Sequence, residues 1–191
     1  LVAKQYRGAG LEPTAAIALC LASGIISDTL NLRSPTATDV DREILGWLQK
    51  FTAVPLDDHA QEFFAIGSAL RSRAADDVIR EDCKEFREHG QRFSISQIEE
   101  IGFELFWTRH EELTQALSAH CKQRGLDFSA LLVTDIMSNG SLLLLSEELE
   151  AWQKINYPRL QKQMYQLDGV VSRKKQLLPL IARLLEPAPA V

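Results

Sequence analysis

The chain has 191 residues, 46% of them hydrophobic and 25% charged, with a net charge of −5 at pH 7. This composition is that of an ordinary globular protein and excludes a disordered or fibrous one, and the length accommodates one compact domain plus a piece of another. The acidic balance argues against a broad nucleic-acid surface, where clustered Lys and Arg dominate, so any anionic ligand must be gripped by a local group of cations.

In chain order, the first expected helix starts at Glu12-Pro13-Thr14, with the proline in its first turn, and continues through Ile17, Leu19, Cys20, Leu21 and Ala22. Being apolar nearly all round, it should be buried in a larger body. It runs into Ile25-Ile26-Ser27-Asp28-Thr29 and breaks at Ser34-Pro35. Thr38 can cap a second helix, with Asp39 and Asp41 in its first turn and Val40, Ile44, Trp47, Leu48 and Phe51 as an apolar stripe. Val54-Pro55 ends it. Another amphipathic helix is expected from about Asp57 to Leu70 with Phe63, Phe64 and Leu70 inward, then a short one containing Val78 and Ile79.

From Cys83 to Ile101 the pattern becomes strand-like, and His89-Gly90 suits the turn of a hairpin. A long helix follows over about Glu104 to Lys122, with Phe106, Leu113, Ala116, Leu117 and Cys121 on one side and Gly125 as its stop. Strands are expected over Ala130 to Met137 and Leu142 to Leu145, joined through Ser138-Asn139-Gly140. The remainder reads as a loop containing Asp168-Gly169, a final helix from about Lys175 to Leu185, and a frayed Pro187-Ala188-Pro189 tail. Hairpin, helix and hairpin in succession imply an α/β (α+β-like) fold, a mixed β-sheet with flanking helices. The domain boundary should fall between Pro35 and Pro55.

Two stretches carry the chemistry. Asp28 follows two isoleucines at the end of a buried helix, where an unpaired carboxylate would cost several kcal/mol, so it needs a metal, an arginine or backbone donors. By itself it reads more readily as a helix-end or turn residue than as a ligand. The second stretch is Val170-Val171-Ser172-Arg173-Lys174-Lys175-Gln176, where three cations open a helix whose dipole disfavours them. A bound anion would resolve that conflict, Arg offering a planar fork and Lys a point charge. A solvated basic turn is the competing reading. The histidines His59, His89, His110 and His120 have no ligand spacing and fit surface or capping roles, while Trp47, Trp107 and Trp152 fit core or partly buried anchors. Cys20, Cys83 and Cys121 read as buried thiols in a reducing cytoplasm.

Ser27-Asp28-Thr29 and Arg33-Ser34-Pro35-Thr36, together with Ser172-Arg173-Lys174-Lys175-Gln176, resemble the family II inorganic pyrophosphatases and the related DHHA2-domain phosphoesterases, including prune-type exopolyphosphatases. Lys84-Glu85-Phe86, Ile95-Ser96-Gln97-Ile98-Glu99 and Leu132-Val133-Thr134-Asp135-Ile136 extend the resemblance along nearly the whole chain. It implies residues 1–50 as the C-terminal end of a DHH domain with its linker, and residues 51–191 as a DHHA2 substrate-binding domain. It further implies Asp28 as a metal ligand and Arg173 and Lys174 as the substrate clamp, with Ser172, Lys175 and Gln176 in the same motif. The metal would be Mn²⁺ (or Co²⁺ or Mg²⁺), mostly held by the DHH domain upstream, and the substrate pyrophosphate or short polyphosphate. A cytoplasmic enzyme without nucleic-acid or membrane partners is expected, since no apolar run is long enough to span a bilayer and no leader is visible.

Two departures qualify this expectation. The other metal ligands are not in the chain, because Asp57-Asp58-His59 has the wrong order and follows the Asp28 motif; it reads as a solvated helix start. A further substrate lysine implied by the resemblance aligns with Ala65, so either Arg71 or Arg73 replaces it or the preferred substrate differs. The isolated chain should be inactive, and the alternatives are an exopolyphosphatase or other DHH-type phosphoesterase, or a non-catalytic phosphate-binding module.

Overall fold

The computed structural model describes residues 2–187, which divide into two compact units, Leu1–Gly67 and Ser68–Val191. Ala188 and Pro189 of the expected frayed tail lie outside the described residues. Among the described residues no helix is long and apolar enough to cross a membrane.

The first unit is helical: α1 (Val2–Gly8), α2 (Ala15–Thr29), α3 (Asp39–Leu48) and α4 (Leu56–Gly67). The short α1 was not foreseen. Thr14 caps α2, accepting the Ile17 N–H at 3.4 Å, so Pro13 precedes the cap rather than occupying the first turn. Only the stripe of Ala18, Ala22, Ile25, Ile26 and Thr29 is buried, while Ile17 and Cys20 face outward, so α2 is not enclosed on all sides. α3 begins with a reciprocal capping box: the Thr38 hydroxyl accepts the Asp41 N–H at 3.3 Å, and Asp41 Oδ2 accepts the Thr38 N–H at 2.9 Å. It buries Ile44, Leu45 and Leu48, leaving Val40 exposed and Trp47 half-buried. Ser23 Oγ and His59 Nε2, 2.8 Å apart, tie α2 to α4.

The helix expected to run to Leu70 stops at Gly67. The second unit opens with α5 (Ala69–Ser72) and α6 (Ala75–Glu81). Ser68 makes the break because its hydroxyl caps α5 and donates to Glu100 Oε2 at 2.6 Å, while Glu100 Oε1 accepts the Leu70 N–H at 3.1 Å. Glu100 is only 2% exposed, and these donors satisfy its carboxylate.

The sheet follows: β1 (Cys83–Glu88), β2 (Gln91–Glu100), β3 (Phe128–Asp135), β4 (Gly140–Leu145), β5 (Arg159–Gln161) and β6 (Met164–Asp168). Its order is β1-β2-β3-β4-β6-β5, with β2 and β3 parallel and the other neighbours antiparallel. The parallel pair requires a crossover, supplied by α7 (Glu104–Arg124) and ended by left-handed Gly125. The β1–β2 turn uses His89 and Gly90, both at positive φ, as a two-residue hairpin demands. β5 and β6 fall where a loop was expected. β6 (MYQLD) contains no β-branched residue, and pairing with β4 makes it a strand.

β3 is buried throughout because both faces are covered. Ile98, Leu131, Val133, Leu142 and Leu144 pack with residues of α5, α6 and α7. Phe93, Ile95, Phe128, Leu132 and Leu143 pack on the other face with Trp152 and with α8 (Leu178–Leu185). There Phe93 stacks on Phe128 with ring centroids 4.7 Å apart, and Trp152 meets Phe128 edge-on at 4.9 Å. Trp107, by contrast, is 37% exposed. Of the cysteines only Cys121 is buried, with Cys83 half-buried, which corrects the expectation for Cys83 and Cys20.

Two stability predictions follow from this packing. Phe128→Ala removes the ring on which Phe93 and Trp152 pack, and should cost about 3–5 kcal/mol in urea-unfolding experiments. Asp135 should supply acid sensitivity. Burial pushes its carboxyl up, but Ser138, Gly102 and Met137 hydrogen bonds outweigh it and hold the group below 3.8. A depressed folded pKa contributes stability above about 3.8 that is lost as pH falls through the folded value. Asp135→Asn should therefore flatten the acid limb of a plot of urea midpoint against pH; an unchanged limb would remove Asp135 from the cause.

Candidate functional site

Strand register places one polar row at the end of the sheet. Glu99 of β2 pairs with Thr134 of β3, which pairs with Ser141 of β4. All three continue the phase that buries Phe93, Ile95, Leu132 and Leu143 on the α8 face, so they stand where that apolar layer stops. Gln97 lies on the same phase of β2, two residues before Glu99.

The turn from Gly169 to Gln176 closes over this row. Gly169 takes φ of 74°, a left-handed value that glycine adopts without strain. Ser141 donates to the Val170 carbonyl at 2.6 Å, and Gln97 Nε2 donates to the Val171 carbonyl at 3.2 Å. Gln97 Oε1 accepts the Arg173 N–H at 3.1 Å. The turn also binds itself: Gln176 Oε1 accepts the N–H groups of Val171 and Ser172 at 3.0 and 3.1 Å, and its Nε2 donates to the Gly169 carbonyl at 2.6 Å. Ser172 Oγ accepts the Lys175 N–H at 3.3 Å, capping the next turn. That turn, Arg173–Leu177, is π-helical before the chain settles into α8 at Leu178. Single π turns are rare and concentrate at functional sites.

Within this frame the five motif residues divide. Ser172 and Gln176 shape the turn, Lys174 and Lys175 are exposed, and Arg173 is 7% exposed. The Arg173 guanidinium points to the end of α6, where Nη2 donates to Asp82 Oδ1 at 2.9 Å. Nη1 donates to the Asp82 carbonyl, and to the Ile95 carbonyl at 3.2 Å. The conflict between cations and a helix start is thus partly resolved inside the protein, since Asp82 supplies a counter-charge for Arg173. For the same reason Arg173→Ala would strip donors from buried carbonyls, and relief of the helix dipole would not make it stabilising.

Nearby, burial holds the Glu99 carboxyl above the usual carboxylate range; Asp82 and Glu81 add to the effect, and Arg173 opposes it. Arg73 pairs with Glu81 at 2.9 Å, whereas Arg71 is exposed. Asp82, Gln97 and Glu99 were not singled out as site residues from sequence. Gln97 and Glu99 carried a detectable signal, being polar on the strand phase that otherwise buries Phe93 and Ile95. Asp82 carried none, because its role depends on a residue 91 positions away.

Asp28, in the first unit, is exposed at the last turn of α2 and not buried as expected, so its carboxylate needs no partner on grounds of burial. The loop after it is unusual. Leu30, Asn31 and Leu32 all take left-handed φ, of 50°, 49° and 65°. Such conformations in residues other than glycine cost on the order of 1–3 kcal/mol each and gather at functional sites. Thr29 holds the loop: its hydroxyl donates to the Ile25 carbonyl at 2.6 Å and accepts the Leu32 N–H at 3.0 Å, while its carbonyl accepts from Arg33 and Ser34. Thr36 Oγ1 returns to the Asp28 carbonyl at 3.1 Å. Asp57, at the start of α4, accepts Asn31 Nδ2 at 3.2 Å. Among the described residues no three His, Cys, Asp or Glu side chains converge, so Asp28 offers a single hard oxygen donor, of a type suited to Mn²⁺ or Mg²⁺.

Comparison with known proteins bears on both stretches. Residues 61–184 match the DHHA2 domain family. A protein of Clostridium acetobutylicum named as a manganese-dependent inorganic pyrophosphatase is 29% identical over 187 residues, covering 97% of this chain and 60% of the relative. A cobalt-dependent inorganic pyrophosphatase of Clostridium perfringens is 28% identical, covering 97% of this chain and 34% of its own length. The crystal structure of a Methanococcus jannaschii protein assigned as a family II inorganic pyrophosphatase superposes with a TM-score of 0.76 at 30% identity, covering 91% of this chain and 57% of that one. The chain thus spans 60% or less of the length of these relatives. Since the family match takes in the sheet, both its faces and the whole Ser172–Gln176 turn, this chain belongs to the DHHA2 domain family.

Proposed function

We propose that this chain is the C-terminal portion of a metal-dependent inorganic pyrophosphatase, cleaving pyrophosphate to two phosphates, and that its own part is the cationic substrate clamp. Residues 1–50 are the end of a DHH domain with its linker, and residues 51–191 the DHHA2 substrate-binding domain. The DHHA2 match from 61 and the compact unit from Ser68 lie inside that second segment. The observation that carries the reading is the Gly169–Gln176 turn, which fixes Arg173 against the sheet while leaving the Lys174 side chain exposed beside it.

Asp28 is the ligand this chain contributes to a divalent cation, Mn²⁺ by preference or Co²⁺ or Mg²⁺, with the remaining ligands from the DHH domain of the parent chain. When bound, such a cation supplies a water activated for attack at phosphorus. Arg173 and Lys174 hold the negative charge of the phosphates, and Ser172, Lys175 and Gln176 complete the motif, Ser172 and Gln176 by building the turn. The strained loop of Leu30, Asn31 and Leu32 supports a functional role for Asp28, because an undemanding helix end has no reason to keep it. Short polyphosphate is the second substrate reading, favoured by Ala65 at the position where the resemblance implies a lysine. We place the parent enzyme in the cytoplasm, in keeping with three free cysteines.

Kinetics of the parent enzyme with pyrophosphate and tripolyphosphate test the clamp. Arg173→Ala should lower kcat about 10²–10³-fold, the usual loss for one charge-stabilising donor. Arg173→Lys should recover only part of this, and Lys175→Ala should be milder. Near-wild-type rates for Arg173→Ala on both substrates would return the cluster to a solvated basic turn. Asp28→Ala should reduce bound metal and nearly abolish turnover without altering the melt of the Ser68–Val191 unit; metal content and activity that both survive would make Asp28 a turn residue. The chain alone, with one carboxylate donor, should hydrolyse no pyrophosphate above buffer background.

A further inference from the structure

We infer that Asp82 is a positioning residue for the clamp, holding Arg173 by one edge of its guanidinium and presenting the other edge to a phosphoryl group; this rests on the clamp role proposed above. A guanidinium has five N–H donors in a fixed plane. Three are used: both on Nη1, by the carbonyls of Asp82 and Ile95, and one on Nη2, by Asp82 Oδ1 at 2.9 Å. Asp82, through its carbonyl and its Oδ1, takes the Nη1–Nη2 edge. The Nε–H and the second Nη2 hydrogen form the opposite edge, which has the spacing to bind two phosphoryl oxygens side by side. Among the described residues no buried side-chain nitrogen lacks a partner, so Nε, which no hydrogen bond engages, keeps some contact with solvent.

The arrangement is poorly suited to a purely stabilising ion pair. Such a pair between Arg and a carboxylate is strongest fork to fork, with both oxygens engaged. Here Asp82 gives one carboxylate oxygen and its main-chain carbonyl, and its side chain is 49% exposed, where screening leaves a lone pair little weight. What the geometry achieves is fixation. The same Asp82 carbonyl accepts the Gln97 N–H at 3.2 Å, and Gln97 in turn accepts the Arg173 main-chain N–H at 3.1 Å. Asp82 and Gln97 therefore fix Arg173 at both ends, side chain and backbone. An arginine ordered before the substrate arrives gives up little further freedom on binding.

The test is a double-mutant cycle in the parent enzyme with pyrophosphate, using Asp82→Ala, Asp82→Asn, Arg173→Ala and the double variants, each with a thermal melt. Asp82→Ala should lower kcat/KM by about 10-fold, the lower end of what loss of a supporting shell costs. The loss should appear in kcat as well as KM, because the misplaced fork serves the transition state. Asp82→Asn, which keeps an acceptor at Oδ1, should recover most of it. In the Arg173→Ala background neither change should lower kcat/KM further. If Asp82→Ala does not fold, Asp82→Leu, which also lacks the acceptor, takes its place in the cycle on the same criterion of non-additivity. Wild-type kcat/KM in the variant that lacks the Asp82 acceptor beside an impaired Arg173→Ala, or losses that multiply in the double variant, would overturn the positioning role and leave the clamp standing. A fully active Arg173→Ala would instead overturn the clamp itself.

Discussion

A sheet covered on both faces must find a partner for every polar group it carries inward, and the ends of β2, β3 and β4 meet that demand on both sides at once. On the helical face, Glu100 and Asp135 spend their oxygens on donors in neighbouring loops and helix starts: Ser68 and Leu70 for the one, Gly102, Met137 and Ser138 for the other. On the α8 face, Gln97 and Ser141 spend theirs on carbonyls and an N–H group of the turn that precedes α8, and the Thr134 hydroxyl accepts from both of those side chains. Leaving any one of them unpaired would cost about 1–3 kcal/mol. The same hydrogen bonds therefore satisfy the sheet and fix the Gly169–Gln176 turn, so the candidate site is a by-product of closing the core.

That dependence accounts for the unequal roles inside one short motif. Ser172 and Gln176 face the turn's own backbone and set its shape, and the π-helical register of Arg173–Leu177 carries Arg173 inward while Lys174 stays in solvent. The two cations differ in kind as well as in place. Arginine suits the partly buried position because its planar fork can serve structural acceptors on one edge and keep donors on the other, whereas an ammonium is strongly hydrated and has no such division. The first unit reaches order by other means: one buried threonine, Thr29, organises a left-handed loop beside an exposed aspartate.

Much of this was legible in the residues. Helical stripes, the Thr38 cap, the His89-Gly90 turn and the Gly125 stop are local features whose conformational preferences need no distant partner, and the mixed sheet with flanking helices followed from their order. The Asp28 and Ser172–Gln176 motifs were visible for the same reason, as residue types out of keeping with their local setting. Burial was less legible. Asp28 looked buried because its neighbours are isoleucines, yet the helix turns its apolar stripe inward and Asp28 outward.

The sequence by itself determined where the strong helices and hairpins form, that cations open the last helix, and that the chain belongs with phosphate-handling relatives, because each of these is written in neighbouring residues. Only the tertiary structure decided that β5 and β6 are strands, that the long helix breaks at Ser68, and that Arg173 is gripped by Asp82. Each of those outcomes rests on a hydrogen bond between residues far apart in the chain: β4 with β6, Ser68 with Glu100, Arg173 with Asp82. Local propensity holds no information about such a partner, and until the chain closes on itself the competing conformation is as good.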